Sequence, residues 1–315
     1  MLLQFDGLET ADLPARPVHL AIGMFDGLHL GHRAVIGSAI DAARNIAGLA
    51  GVLTFWPHPS VLFRPDAPAR LILSREAKTR QLGSLGLDFL IEQRFTPDFA
   101  RTTAAEFIEL LRRSLPSLAA VYVGENFRFG RGREGNVTTL VTEGRRIGLT
   151  VCVAPPVHHD GSPISSSRIR TLLAEGAIED VNVLLGRAYA VDGVVQPGRK
   201  LGRTIGFPTL NVAWEPDLKP RYGVYAVMVN SVNGKALRGV ANYGLRPTVE
   251  QTTRPLLEVH LLDAAALTEG DEINVQLLHF LRPELKFGGL EELRAQIERD
   301  RESALKFFAG PSSGV

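Results

Sequence analysis

The chain has little of several residue types, and each shortage excludes something. Its 315 residues include one cysteine, Cys152, so no disulfide can form within the chain, and we expect a reducing, cytoplasmic setting. No basic segment followed by a long apolar stretch suggests a signal peptide. The apolar run Ile46–Trp56 contains two glycines and is too short to span a bilayer.

Charge of either sign is not in excess. Lys and Arg number 35 against 34 Asp and Glu, which leaves a net charge of +1. Broad binding to nucleic acid or to an acidic membrane is therefore not expected, and positive charge that matters must be local. We expect small-molecule substrates as partners, and the sequence leaves self-association open.

The first half of the chain alternates predicted strands and helices. This alternation is typical of an α/β domain with a doubly wound parallel sheet, in which ligands bind at the carboxyl ends of the strands. The predicted strands are Val18–Ile22, Gly51–Phe55, Phe89–Ile91, Ala120–Val123 and Leu149–Ala154, and the predicted helices are Arg33–Ala47, Ser74–Leu85, Thr103–Leu115 and Thr138–Ile147.

The second half changes character after the predicted helix Ile178–Leu185. Short β-rich runs alternate with turns, including the hairpin signal Asn233-Gly234, which predicts a small antiparallel β-barrel. The amphipathic segment Leu290–Phe307 is expected to pack across it as a terminal helix. We therefore predict domains at 1–185 and 186–309, followed by a flexible tail at 310–315. The predicted strands here are Tyr189–Val195, Val224–Val229, Leu237–Ala241, Leu256–Leu262 and Glu272–Leu278.

The segment Gly23–His32 joins the first predicted strand to the first predicted helix. His29 and His32 are three residues apart at the helix start, where free N–H groups and the helix dipole favour anions, and glycines keep the approach open. This pattern predicts a polyphosphate site. A zinc site is less favoured, because it needs a third ligand such as His58, His158 or His159.

The segment Gly198–Asn211 is rich in glycine and arginine. Glycines allow close approach of a ligand to the backbone, and Arg199 and Arg203 can donate to phosphate oxygens. Thr209 and Asn211 are two apart, so an extended chain places both on one face, where they could hold Mg²⁺. The plain alternative is a glycine-rich hairpin bend.

The segment Ile164–Arg170 places three serines beside two arginines at the start of a predicted helix. Hydroxyls and guanidinium groups at a helix start suit a triphosphate. An ordinary serine cap with exposed arginines is the alternative that these residues alone leave open.

Taken together, these segments resemble one family, the bifunctional prokaryotic riboflavin kinase/FMN adenylyltransferases, or FAD synthetases. The resemblance covers nearly the whole chain, and its motifs follow one another in the family's order. Its motifs are Gly23–His32, Thr54–Pro59, Gly124–Gly130, Ile164–Arg170, Gly198–Asn211, Tyr222–Tyr225, Gly239–Thr248, Leu257–Leu261 and Phe280–Pro283. Two stretches, Val249 and Ala264–Gly270, depart from the family pattern.

For the second half, the resemblance implies phosphorylation of riboflavin to FMN by ATP. It makes Glu258 the general base and Thr209 and Asn211 the Mg²⁺ ligands. Glu258 lies in a predicted strand between Leu257 and Val259, where an outward-facing surface carboxylate is the alternative. The residues implied to shape the phosphate loop are Gly202, Arg203 and Gly206.

For the first half, the resemblance implies adenylylation of FMN by a second ATP, giving FAD and pyrophosphate. His29, His32 and Arg170 are the implied catalytic residues, which align the phosphates and neutralise developing charge. Asp26 could bind Mg²⁺ or fix the loop. The implied nucleotide-binding residues are Gly23, Phe25, Asp26, Gly31, Ser165 and Ser166, and the implied flavin-binding residues of this half are Asn126 and Phe127. Arg282 is the flavin-binding candidate of the second half.

Two other functions remain compatible with these motifs. One is an FMN adenylyltransferase whose barrel only binds flavin, and the other is a flavin carrier or sensor that does not consume ATP. Intact motifs in both halves favour the bifunctional enzyme.

Overall fold

The computed structural model divides the chain into two compact units, Met1–Ser166 and Ser167–Val315. It describes residues 2–197, 206–231, 234–247, 253–265 and 267–310. Asn233 of the predicted hairpin turn and most of the predicted tail lie outside these residues.

The first unit is built on a six-stranded parallel sheet. Its strands are ordered β1-β4-β3-β2-β5-β8. These strands are β1 (Leu3–Phe5), β2 (Val18–Ile22), β3 (Leu49–Trp56), β4 (Phe89–Arg94), β5 (Leu118–Gly124) and β8 (Thr150–Ala154), and short pairs form from β6 (Arg128–Phe129) with β7 (Gly135–Asn136) and from β9 (His158–His159) with β10 (Ser162–Pro163).

Helices cover both faces of this sheet, so the predicted doubly wound α/β domain is confirmed. From β2 the chain continues to β3 and β4 on one side of the sheet and then to β5 and β8 on the other, so the order of connection reverses between β2 and β5. In open parallel sheets that switch point is where ligands bind, at the carboxyl ends of the strands. The helices are α1 (Leu30–Asn45), α2 (Ser60–Phe63), α3 (Arg75–Gly83), α4 (Ala104–Ser114) and α5 (Val137–Arg146).

Strand β2 is buried over its whole length because both of its faces pack against apolar side chains. Leu20 and Ile22 join one core cluster with Phe107 of α4, and Ala21 joins the other with Ile36 of α1. The alternating directions of strand side chains send successive residues to opposite clusters. The carboxyl end of β2 is therefore held from both sides.

The second unit contains a closed antiparallel barrel, as predicted, with strand order β11-β12-β15-β14-β13-β16. Its strands are β11 (Tyr189–Gln196), β12 (Leu210–Ala213), β13 (Gly223–Ser231), β14 (Ala236–Pro247), β15 (Thr253–Leu261) and β16 (Glu272–Pro283), and its helices are α6 (Ser166–Glu175), α7 (Ile178–Leu185) and α8 (Leu290–Ala309).

Helices pack against this barrel through buried polar contacts. Asn182 of α7 donates to the carbonyl of Leu277 at 2.9 Å and accepts from the N–H of Tyr189 at 2.7 Å. The backbone N–H of Arg221 donates to the carbonyl of Leu173 in α6 at 2.9 Å. Helices α6 and α7 thus pack with the barrel, whereas the predicted domain boundary at 185/186 stays a prediction.

Two strands of the parallel sheet and the barrel, β1 and β12, were not predicted, and neither were the two-residue strands β6, β7, β9 and β10. β1 has three residues and pairs with β4, and β12 has four residues and pairs with β11 and β15. Alternation over so few residues carries little signal, and both strands depend on partners that are distant in sequence.

Gly51 of β3 offers a test of packing in the first unit. A Cβ there would lie 2.1 Å from the ring of Phe89, which is fully buried. We expect Gly51→Ala to lower the free energy of unfolding by about 1–3 kcal/mol, because the ring cannot move without disturbing the core. Denaturation by urea, followed by circular dichroism, measures this.

Gly37→Ala is the matched control in the same unit. Gly37 lies in α1, and no described atom comes within 4 Å of an added Cβ. Replacing a helical glycine by alanine is expected to raise stability by about 0.5–1 kcal/mol. Equal effects of the two substitutions would contradict the packing of Phe89 on β3.

Candidate active sites

The first candidate site is the turn between β2 and α1, and its backbone is unusual. Phe25 and Leu28 have φ of 51° and 45°, in the left-handed region that residues other than glycine seldom adopt, and Gly27 has φ of 86°. Both Phe25 and Leu28 are buried, at 2% and 1% exposure. Their side chains therefore anchor a turn whose backbone is strained.

Hydrogen bonds from three other segments hold this turn. Thr54 of β3 donates its hydroxyl to the carbonyl of Met24 at 3.1 Å, and Ser166 donates to the carbonyl of Asp26 at 2.8 Å. The Asp26 carboxylate accepts the backbone N–H of Ile72 at 3.0 Å and that of Leu73 at 3.4 Å. This is the geometry of a residue that fixes the loop, one of the two roles considered for Asp26.

The two predicted histidines lie together at the start of α1. His29 is the N-cap, and its Nδ1 accepts the backbone N–H of His32 at 3.3 Å. The two rings stack with centroids 3.6 Å apart, and Phe25 meets the His32 ring edge-on at 5.4 Å. A Cβ on Gly31 would lie 3.2 Å from the His29 ring, so this glycine leaves room for the stack.

Burial makes His29 a neutral side chain. It lowers the pKa of His29 from its ordinary value of 6.5 to about 4. Because Nδ1 accepts a hydrogen bond, the proton of the neutral ring lies on Nε2, which makes that nitrogen a donor. His29 can therefore donate to a phosphate oxygen at neutral pH without carrying charge.

The structure places the other predicted residues of the first half as follows. Asn126 is exposed in the segment after β5, and Phe127 stacks on Phe129 with centroids 5.5 Å apart. Gly23 directly follows β2, and its N–H donates to the carbonyl of Leu53 at 3.1 Å. Ser165 is the last residue before α6, and Arg170 lies in α6, within the second unit.

Sequence reasoning missed Lys78 of α3, which lies beneath this turn. It is only 7% exposed, and its Nζ donates to the hydroxyl of Thr54 at 3.1 Å. Glu92 of β4, 8% exposed, pairs with Arg75. A lysine in a predicted amphipathic helix is normally assigned to the solvent side. One sequence signal could have indicated its burial: Lys78 lies four residues before Leu82, so both side chains are on the face that the helix buries.

The second candidate site lies on the outer face of the barrel. Glu258 of β15 is paired directly with Asn211 of β12 on one side and with Asn242 of β14 on the other. Leu257 and Val259, which flank Glu258, point into the barrel and are fully buried. Glu258 therefore faces outward, and the strand register brings a carboxylate and two amides abreast.

Asn211 shows an oxygen suited to a metal or a ligand. It is 6% exposed, and its Oδ1 has no hydrogen-bond partner among the described residues. Buried polar atoms are normally satisfied, so this one points to a group that binds there. Thr209, two residues earlier, is exposed. Hydroxyl and amide oxygens are ligands that suit Mg²⁺. Within the described ranges, no three His, Cys, Asp or Glu side chains are grouped to hold a metal ion.

The end of the glycine-rich segment is anchored to β15. His260 Nδ1 lies 2.9 Å from the carbonyl oxygen of Pro208, and its ring meets Phe207 edge-on at 5.4 Å. Gly206 has φ of 90° in a turn. Two predicted residues, Gly202 and Arg203, lie outside the described residues.

The predicted flavin-binding residue Arg282 has a structural partner. Its Nε and Nη2 donate to the two carboxylate oxygens of Asp300, each at 2.7 Å, and this bidentate pair joins β16 to α8. The two side chains are 18% and 7% exposed. A contact of Arg282 with flavin stays a prediction.

Two family models match the chain in succession. That of FAD synthetase matches residues 13–168, and that of riboflavin kinase matches residues 185–308. The first contains the turn at β2, and the second contains the row of Asn211, Glu258 and Asn242.

Curated relatives match nearly the whole chain. The bifunctional riboflavin kinase/FMN adenylyltransferase of Escherichia coli K12 is 42% identical over 290 residues, which are 92% of this chain and 92% of the relative. The protein of the same name from Bacillus subtilis is 38% identical over 295 residues, again 92% of each chain.

A solved structure has the same fold. The crystal structure described as a macrolide-efflux protein from Streptococcus pneumoniae superposes with a TM-score of 0.86 at 27% identity, over 96% of this chain and 98% of that one. In the part of the present chain that the structure describes, no helix combines the length and apolar character needed to cross a membrane.

The neutral state of His29 can be measured directly. In the folded chain, ¹³C-histidine NMR is expected to show a titration midpoint of about 4 for this ring, assigned by its loss in His29→Asn, which keeps a capping side chain. The unfolded chain binds this proton near pH 6.5, and the folded chain binds it only near pH 4. The free energy of unfolding is therefore expected to fall by about 3 kcal/mol as the pH is lowered from 6.5 to about 4. A midpoint near 6.5 would contradict the buried stack.

Proposed function

Because the chain belongs to the family of bifunctional riboflavin kinase/FMN adenylyltransferases, we propose that it makes FAD from riboflavin in two ATP-dependent steps. Residues 186–309 phosphorylate riboflavin to FMN, and residues 1–185 adenylylate FMN to FAD. The observation that carries this assignment is that each family match contains a polar site of its own. The lone Cys152 agrees with action in a reducing cytoplasm.

The kinase step uses the row of polar side chains on the barrel. Glu258 accepts the proton of the riboflavin 5′-hydroxyl while that oxygen bonds to the γ-phosphorus of ATP and ADP leaves. Thr209 and Asn211 would hold Mg²⁺, which would supply positive charge to the phosphates, and the orphaned Oδ1 of Asn211 supports this role. Gly202, Arg203 and Gly206 shape the loop around the phosphates.

The adenylyl step uses the turn after β2. A phosphate oxygen of FMN bonds to the α-phosphorus of ATP, the bond to the β-phosphate breaks, and pyrophosphate leaves. His29 donates from Nε2, and His32, Ser165, Ser166 and Arg170 stabilise the departing charge together with the N-terminus of α1. Gly23, Phe25, Asp26 and Gly31 shape the nucleotide site, and Asn126 and Phe127 contact flavin. Arg282 is assigned to flavin binding in the kinase half instead.

Chromatography of flavins separates the two steps. Wild-type protein with riboflavin, ATP and Mg²⁺ should yield both FMN and FAD. Glu258→Gln should lower FMN formation by about 10²–10⁴-fold, because the base is lost, and leave FAD formation from supplied FMN intact. His32→Ala should lower FAD formation by about 10²–10³-fold and leave FMN formation intact.

Each variant is the control for the other, since both carry one intact site. If wild-type protein made FAD only from supplied FMN, the barrel would be a flavin-binding module attached to an adenylyltransferase. Consumption of neither flavin would support a carrier.

Asn211→Leu tests the metal assignment. It removes the amide oxygen at nearly constant size, so the Mg²⁺ concentration for half-maximal FMN formation is expected to rise by about 10- to 100-fold. Asn230→Leu, on β13 of the same barrel, is the matched control and should leave that concentration unchanged. The rate of FAD formation from supplied FMN should be unchanged in both variants. An unchanged Mg²⁺ requirement in Asn211→Leu would reject Asn211 as a ligand.

A further inference from the structure

Lys78 occupies a position that lysine seldom takes. It is 7% exposed, and it is the only lysine that precedes Lys200 in the sequence, where every other basic side chain of Lys/Arg type is arginine. Burying an ammonium group costs several kcal/mol unless it is paired and hydrogen-bonded. None of the roles given so far to the first unit uses this cation.

Charged groups from two other parts of the unit and from its own helix interact with Lys78. Burial lowers the pKa of Lys78, the carboxylates of Glu92 on β4 and Asp26 in the turn raise it, and Arg75 on the same helix lowers it. Arg75 pairs with Glu92 from the more exposed side. Lys78 is therefore the buried cation between the turn and the end of β4.

A two-step hydrogen-bond chain connects Lys78 to the turn. The Thr54 hydroxyl has a single proton, which it donates to the carbonyl of Met24 at 3.1 Å. It must then accept from Lys78 Nζ, 3.1 Å away. A cation at the head of such a chain polarises the hydroxyl and strengthens its bond to the carbonyl.

We propose that Lys78 is a positioning residue for adenylyl transfer, which acts through Thr54 and Asp26 to hold Met24–Asp26 so that His29 and His32 face the ATP phosphates. This inference rests on the proposed adenylyl step. Lys78 is buried and its ammonium donates to Thr54, so we assign it no contact with substrate. The turn needs such support, since Phe25 and Leu28 hold positive φ.

Two substitutions test this through different atoms of the same chain. Lys78→Met keeps the stem and removes the charge, and Thr54→Val removes the hydroxyl at nearly constant shape. Each is expected to raise the KM for ATP in FAD formation, with kcat/KM falling roughly 10- to 100-fold, because a small displacement of the turn misaligns the phosphates. FMN formation from riboflavin should be unchanged in both. Since Lys78 acts in part through Thr54, the fold-loss of kcat/KM in the double variant should be smaller than the product of the two single losses.

Thr79→Val is the matched control. Thr79 follows Lys78 in α3, and its hydroxyl donates to the carbonyl of Arg75 at 3.0 Å. This variant should match wild type in both reactions. A lysine that served stability alone would lower the melting temperature without changing the KM for ATP, whereas Lys78→Arg, which keeps the charge, should recover part of the lost kcat/KM.

The histidine NMR titration reports the turn without catalysis. In Thr54→Val and Lys78→Met, the His29 midpoint should move upward from about 4, because a loosened turn admits water to the ring. If Lys78→Met did not fold, Thr54→Val would decide. An unchanged KM for ATP together with an unchanged His29 midpoint in Thr54→Val would overturn the inference. A wild-type chain that made no FAD would reject the proposed function instead, and the NMR comparison would still test the role of Lys78.

Discussion

The first unit depends on keeping one strained turn in place at the carboxyl end of β2. Left-handed backbone at a residue with a side chain costs about 1–2 kcal/mol, and the turn contains two such residues, Phe25 and Leu28. Three hydrogen bonds oppose this cost: those donated by Thr54 and Ser166, and the one that the Asp26 carboxylate accepts. Each stabilises the turn by about 0.5–1.5 kcal/mol. The bonds alone therefore only balance the strain. Burial of the two apolar side chains, each worth about 1.5–3 kcal/mol, decides the conformation.

Among the described residues of the second unit, none other than glycine has a positive φ. Side chains on adjacent antiparallel strands face each other in register, about 4.7–4.9 Å apart between strands. The pairing of β12, β15 and β14 therefore suffices to set Asn211, Glu258 and Asn242 in one row. A slip of one residue would turn Glu258 into the apolar interior and Leu257 and Val259 outward, at a cost that fixes the register.

Features that follow from local periodicity could be predicted from the sequence. The bounds of β2 and α7 agree with the predicted Val18–Ile22 and Ile178–Leu185, because both segments are strongly apolar and end at clear signals. The partners in the sites could not be predicted in this way. The buried state of Lys78 depends on β3 and β4 covering α3, and the adjacency of Asn211 to Glu258 depends on strand pairing across a long separation. The role of Asp26 was left open because its partners are backbone N–H groups of Ile72 and Leu73, which have no sequence signature.

The choice of lysine at the buried position has a physical reason. An ammonium group has three donors and fits beside one hydroxyl and nearby carboxylates, whereas a guanidinium has five donors in a rigid plane that all require acceptors. Arg75, with its side chain 46% exposed, can satisfy its extra donors with water while it pairs with Glu92. The Lys78 cation is thus connected to the turn through Thr54. The turn itself presents a neutral His29 ring and the N–H groups of α1. The polyphosphate recognition that we propose there would rest on directed donors more than on net charge, which agrees with a chain whose overall charge is only +1.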